Sequence, residues 1–176
     1  KVGDRVAEDA VWNYPVPLED CVDLGDYVAF SWDKMDAWFE EDEEVFVHAK
    51  DPYKRMDSMH SSRHVRVEVN GETVAETDHP VMMLETGLPH RYYIPKSDVR
   101  PDLLRASEKV MRSAYKGEAR YYSVEVGGET VADIAWSYRY PAAEAAKVAG
   151  LVCFPQGKVD MYVDGELEAK PRTRWD

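Results

Sequence analysis

A ten-residue segment that occurs twice places the strongest constraint on how this chain folds. Residues 67–76 have the sequence Val-Glu-Val-Asn-Gly-Glu-Thr-Val-Ala-Glu, and residues 124–133 differ from them at only two positions. In each copy an alternating stretch precedes an Asn-Gly or Gly-Gly pair, and a second alternating stretch follows. Such pairs tolerate the positive φ of a type I′ turn, so each copy predicts a two-residue β-hairpin. A more divergent third copy occupies residues 2–8.

A longer repeat, with a spacing of 124 residues, relates the two ends of the chain. Trp12 and Tyr14 correspond to Trp136 and Tyr138, and residues 28–30 correspond to 152–154. We therefore expect an internally repeated protein. Its predicted parts are the C-terminal half of a first unit (1–44), a connector (45–64), a second and nearly complete unit (65–165), and a tail (166–176).

Half of a β unit cannot bury both faces of its strands by itself. We expect residues 1–44 to pack either against the second unit or against another copy of the chain. In the latter case the protein forms a homodimer through this half unit.

Short alternating stretches punctuated by Gly and Pro predict an all-β protein. The predicted strands are 65–69, 72–77, 80–85, 91–94, 119–126, 129–138, 150–154 and 158–163, with counterparts at 5–8, 10–14, 27–31 and 34–39. Helix is expected only in short pieces at 97–105, 141–149 and 18–24. The expected architecture is a small, mainly antiparallel barrel or a folded sheet with one or two short helices.

The charge of the chain excludes two classes of partner. Lys and Arg number 22 and Asp and Glu number 34, which gives a net charge of −12. Binding to nucleic acid depends on cationic side chains that neutralise phosphates, so we expect no nucleic-acid partner. The same excess of acid argues against an anionic membrane surface. No apolar run approaches the ~18 residues of a membrane span and no leader-like segment is present, so we expect a cytoplasmic protein.

Neither cysteines nor histidines predict a metal centre or a cofactor. Cys21 and Cys153 are far apart, which indicates two reduced thiols rather than a disulfide scaffold. Among the five histidines only His60 and His64 have i, i+4 spacing, and their segment is predicted as loop and then strand, where this spacing does not place two ligands on one helix face. We therefore predict no bound metal and no cofactor.

Several segments together resemble a bacterial family known as domain of unknown function 427. They are residues 36–45, 51–55, 61–65, 84–95, 98–104, 115–117 and 135–138. The resemblance extends to about Gly165, in the two-unit form of the family. The family usually has Cys-Pro before its Tyr-Lys-Gly motif, whereas Ser113-Ala114 stands here, so no role of that cysteine is carried over.

The family is also filed under a nucleotidyltransferase-like label. That activity requires carboxylates arranged to hold Mg²⁺ against phosphates. The candidate acids Asp98, Asp102, Asp133 and Asp160 fall in different predicted elements and form no such motif. We therefore do not expect a nucleotidyltransferase.

The resemblance singles out Lys116 and Gly117 as candidate ligand-binding residues, because they stand at the family's motif position. A glycine beside a lysine in a tight turn presents a cation and backbone N–H groups to an anion or a carbonyl. Family members also tend to carry an acid at the position of Glu85 and aromatic residues at the positions of the pair Tyr92-Tyr93. An ion pair between Glu85 and Lys116 would be structural as readily as functional.

Strand alternation places Trp136 and Tyr138 on one face of their predicted strand, and we expect Tyr122 on the neighbouring strand to join them. Two interpretations are open: the three rings form ordinary core, or they line a partly hydrated cavity whose mouth carries Lys116. The leading hypothesis is an uncharacterised protein that binds a small organic ligand in this cavity. The alternatives are an enzyme of unknown reaction that uses Lys116 with Glu85, and a structural or protein-interaction module. No catalytic residue is assigned.

Overall fold

The computed structural model describes residues 1–171, so residues 172–176 of the predicted tail lie outside the described residues. The chain divides into two compact units, Lys1–Ala49 and Lys50–Asp176. The described strands pair in antiparallel fashion. The predicted all-β class is therefore confirmed.

The first unit contains two small two-stranded sheets. Their strands are β1 (Val11–Trp12), β2 (Ala29–Phe30), β3 (Phe39–Glu40) and β4 (Glu43–Glu44). β1 pairs with β2, and β3 pairs with β4. A 3-10 helix spans Trp32–Lys34, where the Trp32 and Trp38 rings stack at 4.6 Å. The strand predicted at 5–8 and the helix predicted at 18–24 are wrong, since turns and irregular backbone occupy these residues.

The second unit contains a four-stranded and a seven-stranded sheet. Its strands are β5 (Met56–His60), β6 (Val65–Val69), β7 (Glu72–Thr77), β8 (Val81–Glu85), β9 (Arg91–Ile94), β10 (Leu104–Ser113), β11 (Gly117–Val126), β12 (Glu129–Pro141), β13 (Val152–Cys153), β14 (Asp160–Val163) and β15 (Glu166–Leu167). The smaller sheet has the order β15-β14-β6-β7, and the larger has the order β10-β11-β12-β13-β9-β8-β5. β5 lies within the predicted connector, residues 45–64.

Both predicted hairpins are confirmed. Asn70 and Gly71 have φ of 50° and 79° between β6 and β7, and Gly127 and Gly128 have φ of 60° and 82° between β11 and β12. A third turn of this kind, Asp164-Gly165, joins β14 to β15. In each case the pair of residues supplies the positive φ that a two-residue hairpin requires.

The helix predicted at 97–105 is wrong. Only Lys96–Asp98 forms a 3-10 helix, and the chain continues through turns into β10. Val99 bridges to Ala75, the Arg100 N–H donates to the Val74 carbonyl at 2.8 Å, and β10 pairs with β11 from Leu104 onward. These tertiary contacts override the local helix propensity of the segment. Near the second predicted helix, at 141–149, a 3-10 helix spans Ala143–Val148.

The large sheet folds over on itself. β11 is its second strand and β8 its sixth, so in a flat sheet they would lie about 19 Å apart. The Lys116 side chain, at the start of β11, nevertheless contacts the Glu85 side chain, at the end of β8. Because the strand order does not return to its beginning, the described residues form a folded open sheet and not a closed barrel.

Each face of the folded sheet carries its own core. On one face, the buried residues of the four-stranded sheet join those of the large sheet, including Val65, Val67, Ile94, Val124, Ile134 and Phe154. The concave face holds a second core of Val81, Met83, Tyr93, Ala119, Tyr138, Ala145, Val148 and Cys153. Ala145 and Val148 come from the 3-10 helix, which therefore covers part of the concave face.

One strand register and one backbone conformation recur at the predicted spacing of 124 residues. Trp12 lies opposite Ala29, and Trp136 lies opposite Cys153. Asp9 and Asp133, which also differ by 124, both adopt positive φ. The internal repeat itself stays a prediction. No helix within residues 1–171 is long and apolar enough to cross a membrane.

Candidate functional site

The residues around Glu85 form a compact charged cluster. The Lys116 Nζ donates to Glu85 Oε2 at 2.6 Å, and the Lys54 Nζ lies 2.8 Å from Glu85 Oε1. The Glu85 side chain is only 8% exposed, and those of Lys116 and Lys54 are 14% and 26% exposed. We call Lys54, Glu85 and Lys116 the lysine–glutamate cluster. Two of its residues, Glu85 and Lys116, were candidate site residues in the sequence analysis. The third, Lys54, was not.

The two lysines keep the Glu85 carboxyl ionised. Burial alone raises its pKa, but hydrogen bonds from Lys116 and Lys54 and the charges of both ammonium groups outweigh burial and hold the pKa below its ordinary value. At neutral pH the cluster therefore contains two positive charges and one negative charge.

The backbone around Gly117 fixes the position of Lys116. The Lys116 carbonyl accepts a hydrogen bond from the Ala142 N–H at 3.1 Å. Gly117 has a φ of 91°, and a Cβ at this position would lie 3.2 Å from the carbonyl oxygen of Tyr140. Gly117 is thus required both by its backbone conformation and by the close approach of the neighbouring strand.

We expect Gly117→Ala to be more destabilising than Gly71→Ala. Both changes place a side chain at positive φ, which costs about 1–2 kcal/mol. Position 71 has no heavy atom within 4 Å of the added Cβ, whereas position 117 has the Tyr140 carbonyl oxygen at 3.2 Å. Urea denaturation of the two variants measures the difference. Equal losses of unfolding free energy would show that the contact with Tyr140 does not constrain Gly117.

The loop that carries Lys54 is attached to the same region. The Tyr115 hydroxyl accepts a hydrogen bond from the backbone N–H of Asp51 at 2.7 Å. The Lys54 Nζ lies 4.8 Å from the centroid of the Tyr115 ring, within the range of a cation–π interaction. Tyr115 thus holds this loop where Lys54 can reach Glu85.

Trp136 and Tyr138 lie on the concave face of the sheet, as neighbours of Tyr93 and Tyr121. The Tyr138 and Tyr93 ring centroids are 6.4 Å apart, and those of Trp136 and Tyr121 are 5.9 Å apart. The Arg91 guanidinium lies 5.5 Å from the Trp136 ring centroid. This face therefore combines flat aromatic rings with a cation.

Electrostatic effects connect this aromatic face to the lysine–glutamate cluster. Burial raises the pKa of Tyr138, and the nearby Cys153, Tyr121 and Glu85 contribute in the same direction. Burial raises the pKa of the Cys153 thiol to about 12, against the opposing charges of Arg91 and Lys116. Cys153 is therefore a neutral core thiol at physiological pH.

Tyr122 and Tyr92 do not join this face, which corrects the expected grouping of Tyr122 with Trp136 and Tyr138. Tyr122 lies opposite Ala135 in the ladder, while Trp136 lies opposite Tyr121. Directly opposed residues share a face of a sheet, so Tyr122 points away from Trp136. Tyr92 likewise packs in the core of the other face, and its neighbour Tyr93 occupies the concave face.

The error about Tyr122 has an identifiable cause. The Gly127-Gly128 turn pairs Val126 with Glu129, which sets even-numbered residues of β11 opposite odd-numbered residues of β12. The prediction instead grouped residues by their aromatic and apolar character, and Ile134 does pack in the same core as Val124. It does so beside an irregularity at Asp133, where φ is 53°. The register of a two-residue hairpin was the signal that could have placed Tyr122 correctly.

Lys54, Tyr121 and Arg91 also belong to this region, and the sequence did not single them out as site residues. Within the described part of the chain, no group of three or more His, Cys, Asp and Glu side chains could hold a metal ion.

Fold and site together define the second unit as a folded antiparallel β domain with a largely buried lysine–glutamate cluster beside an aromatic face. The family model described as Domain of unknown function (DUF427) matches residues 1–41 and 57–165. The chain belongs to this family, as its motifs indicated. No curated protein matches the chain.

Proposed function

We propose that the protein binds a small organic ligand with an acidic or carbonyl end at the lysine–glutamate cluster, with its flat or apolar part on the aromatic face. The supporting observation is the imbalance of charge in the cluster. Lys54 and Lys116 share one carboxylate, so one positive charge is not neutralised by Glu85. An incoming carboxylate would neutralise it.

Both ammonium groups have hydrogen-bonding capacity to offer. An ammonium group carries three N–H donors. Among residues 1–171, Glu85 is the sole hydrogen-bond partner of the Lys116 ammonium, which leaves donors for a ligand oxygen. Lys54 is the more exposed of the two lysines and is therefore the better placed to turn toward an incoming group.

The aromatic face suits the rest of such a ligand. Small-molecule sites combine apolar and aromatic walls with a few fixed polar groups. Trp136 is partly buried, so its ring keeps an accessible surface, and Arg91 lies over it. A flat ring packed there would have a cation beside it as well as at the cluster.

The direction of the Glu85 pKa argues against the alternative of an enzyme that uses this carboxyl as an acid. A general acid that works near neutral pH needs a raised pKa. The two lysines lower the pKa of Glu85 instead. An ionised carboxylate that orients two lysines is better suited to binding than to proton transfer.

Benzoate and its neutral analogue benzamide test this proposal by isothermal titration calorimetry on the full chain. We expect saturable binding of benzoate and affinity for benzamide at least about tenfold lower, because the amide lacks the charge. Lys116→Met should weaken benzoate binding by at least about tenfold. Lys158→Met, which removes an exposed lysine without an ion pair in the described residues, should leave binding unchanged.

The remaining alternative, a purely structural cluster, predicts a different result. Lys116→Met would then lower the free energy of unfolding and have no effect on any benzoate binding. Equal affinity for benzoate and benzamide, or no saturable binding of benzoate, would likewise overturn the proposal.

A further inference from the structure

We propose a second, independent binding site in two adjoining clefts around residues 96–101, the larger beside β7 of the four-stranded sheet and the smaller beside β10 and β11 of the large sheet. Its ligand class is a free α-amino acid with an apolar or aromatic side chain. Nothing in this inference depends on the lysine–glutamate cluster.

The clefts supply a concave site of suitable size. The larger has a volume of about 400 Å³ and is lined by β7 residues and by Ser97, Asp98 and Arg100. The smaller has a volume of about 220 Å³ and is lined by Lys96, Leu104, Ala106 and Tyr122. Val99 and Pro101 line both, so the two clefts meet along these residues. Small-molecule sites commonly measure about 300–1,000 Å³.

Lys96 supplies a cation in the smaller, mainly apolar cleft. Its Nζ lies 5.3 Å from the centroid of the Tyr122 ring. Within residues 1–171 the Lys96 ammonium forms no ion pair, so its charge is available to a ligand carboxylate. Tyr122 and Leu104 offer an apolar surface beside it for a side chain.

Asp98 supplies a fixed anion in the larger cleft. Its carboxylate accepts hydrogen bonds from Thr77 Oγ1 at 2.7 Å and from Ser97 Oγ at 2.9 Å. These bonds orient the carboxylate and, with the nearby His79, lower its pKa, so that it is ionised at neutral pH. Glu76 lines the same cleft and adds a second negative charge, which is paired with His64.

Arg100 does not cancel this negative charge for a ligand, because its guanidinium is already engaged. Its Nε and one terminal nitrogen donate to the two carboxylate oxygens of Asp102, at 2.8 Å and 2.5 Å. The charges that a ligand would meet are therefore Lys96 in the smaller cleft, and Asp98 with the His64-paired Glu76 in the larger. An α-amino acid carries both an ammonium and a carboxylate, so it offers one charge of the required sign to each cleft.

Three probes that differ by one charged group test the site in an NMR titration of the full chain labelled with ¹⁵N. They are L-phenylalanine, 3-phenylpropionate without the ammonium group, and phenethylamine without the carboxylate. We expect saturable shifts of the backbone amides between 96 and 106 with phenylalanine. Judged by the shifts of these amides alone, each of the other two probes should bind at least about tenfold more weakly, because one charged contact is lost.

Variants separate this site from the lysine–glutamate cluster. Lys96→Met should weaken phenylalanine binding by about tenfold or more and should not change the fold, since Lys96 forms no ion pair in the described chain. Asp98→Asn should also weaken phenylalanine binding by about tenfold or more. The NMR spectrum of this variant without ligand reports whether the fold is kept. Lys116→Met should leave the phenylalanine-induced shifts of these amides intact. Equal affinities of the three probes at these amides, shifts confined to residues outside 96–106, or no saturable shifts would overturn the inference.

Discussion

Replacing Glu85 by glutamine is expected to lower the free energy of unfolding by about 3 kcal/mol, as measured by urea denaturation at neutral pH. The change removes the carboxylate that separates Lys54 from Lys116, and it leaves two largely buried ammonium groups facing each other. Removing one partner of a buried ion pair lowers the free energy of unfolding by more than the contribution of the contact itself, since the remaining charges are no longer compensated.

A matched control is Glu125→Gln. Glu125 forms an ion pair with Arg105, at 2.8 Å, but both side chains are about half exposed. Exposed pairs contribute little, about 0–1 kcal/mol. A loss for Glu85→Gln no larger than that for Glu125→Gln would show that the lysine–glutamate cluster does not hold the folded sheet together.

The pH dependence of the Glu85→Gln effect follows from the direction of the Glu85 pKa. The folded state holds this pKa below the ordinary value of 4.5. The carboxylate therefore contributes its stability above about pH 4.5 and loses it as the pH falls through the lowered pKa. The difference in unfolding free energy between wild type and Glu85→Gln should be constant near neutral pH and should shrink in acid below pH 4.5.

Trp136→Ala is the other change for which we expect a large effect, a loss of about 3 kcal/mol of unfolding free energy together with weaker benzoate binding. The indole packs against Tyr121 and lies under Arg91, and it adjoins the buried core of the concave face. Removing it leaves a cavity and takes away the proposed contact surface of the ligand.

Tyr162→Ala serves as its control. Tyr162 is also a partly buried ring under an arginine, with Arg66 4.2 Å from its centroid, but it belongs to the four-stranded sheet. This variant should lose stability without losing affinity for benzoate. If Trp136→Ala and Tyr162→Ala changed benzoate binding equally, the aromatic face would have no specific role.

The parts of the fold that could be predicted from the sequence are those fixed by local chemistry. Asn70-Gly71 and Gly127-Gly128 supply positive φ at adjacent residues, and that requirement alone placed two hairpins correctly. The helix predicted at 97–105 failed because the contacts of Val99 and Arg100 with β7 and the pairing of β10 with β11 are tertiary effects. Such contacts routinely override local propensity.

In the candidate site, too, some residues could be identified from the sequence and others depend on the tertiary fold. Glu85 and Lys116 were singled out by resemblance to the family, and the structure brings them together at 2.6 Å. Lys54 lies in the resembling segment 51–55 but was not assigned to the site, because it meets Glu85 only when the large sheet folds over and Tyr115 holds the loop at Asp51. Tyr122 was misplaced although the Gly127-Gly128 turn determines its register.

The first unit leaves apolar residues exposed whose counterparts in the second unit are buried. Tyr14 is 57% exposed and Val28 is 60% exposed, whereas their counterparts Tyr138 and Val152 are buried at 5% and 0%. Burial of such surfaces is the main driving force of association. That residues 1–44 pair with another copy of the chain remains a proposal, and the concentration dependence of the molecular mass in solution tests it.

Native mass spectrometry of the purified full chain tests the central claim most directly, because it detects a small molecule retained by the protein whatever the identity of that molecule. We predict a wild-type species heavier than the chain by the mass of one small organic molecule. The same added mass should remain with Lys158→Met and disappear with Lys116→Met. If wild type and Lys116→Met did not differ in the mass added to the chain, the assignment of the lysine–glutamate cluster as a ligand-binding site would be contradicted.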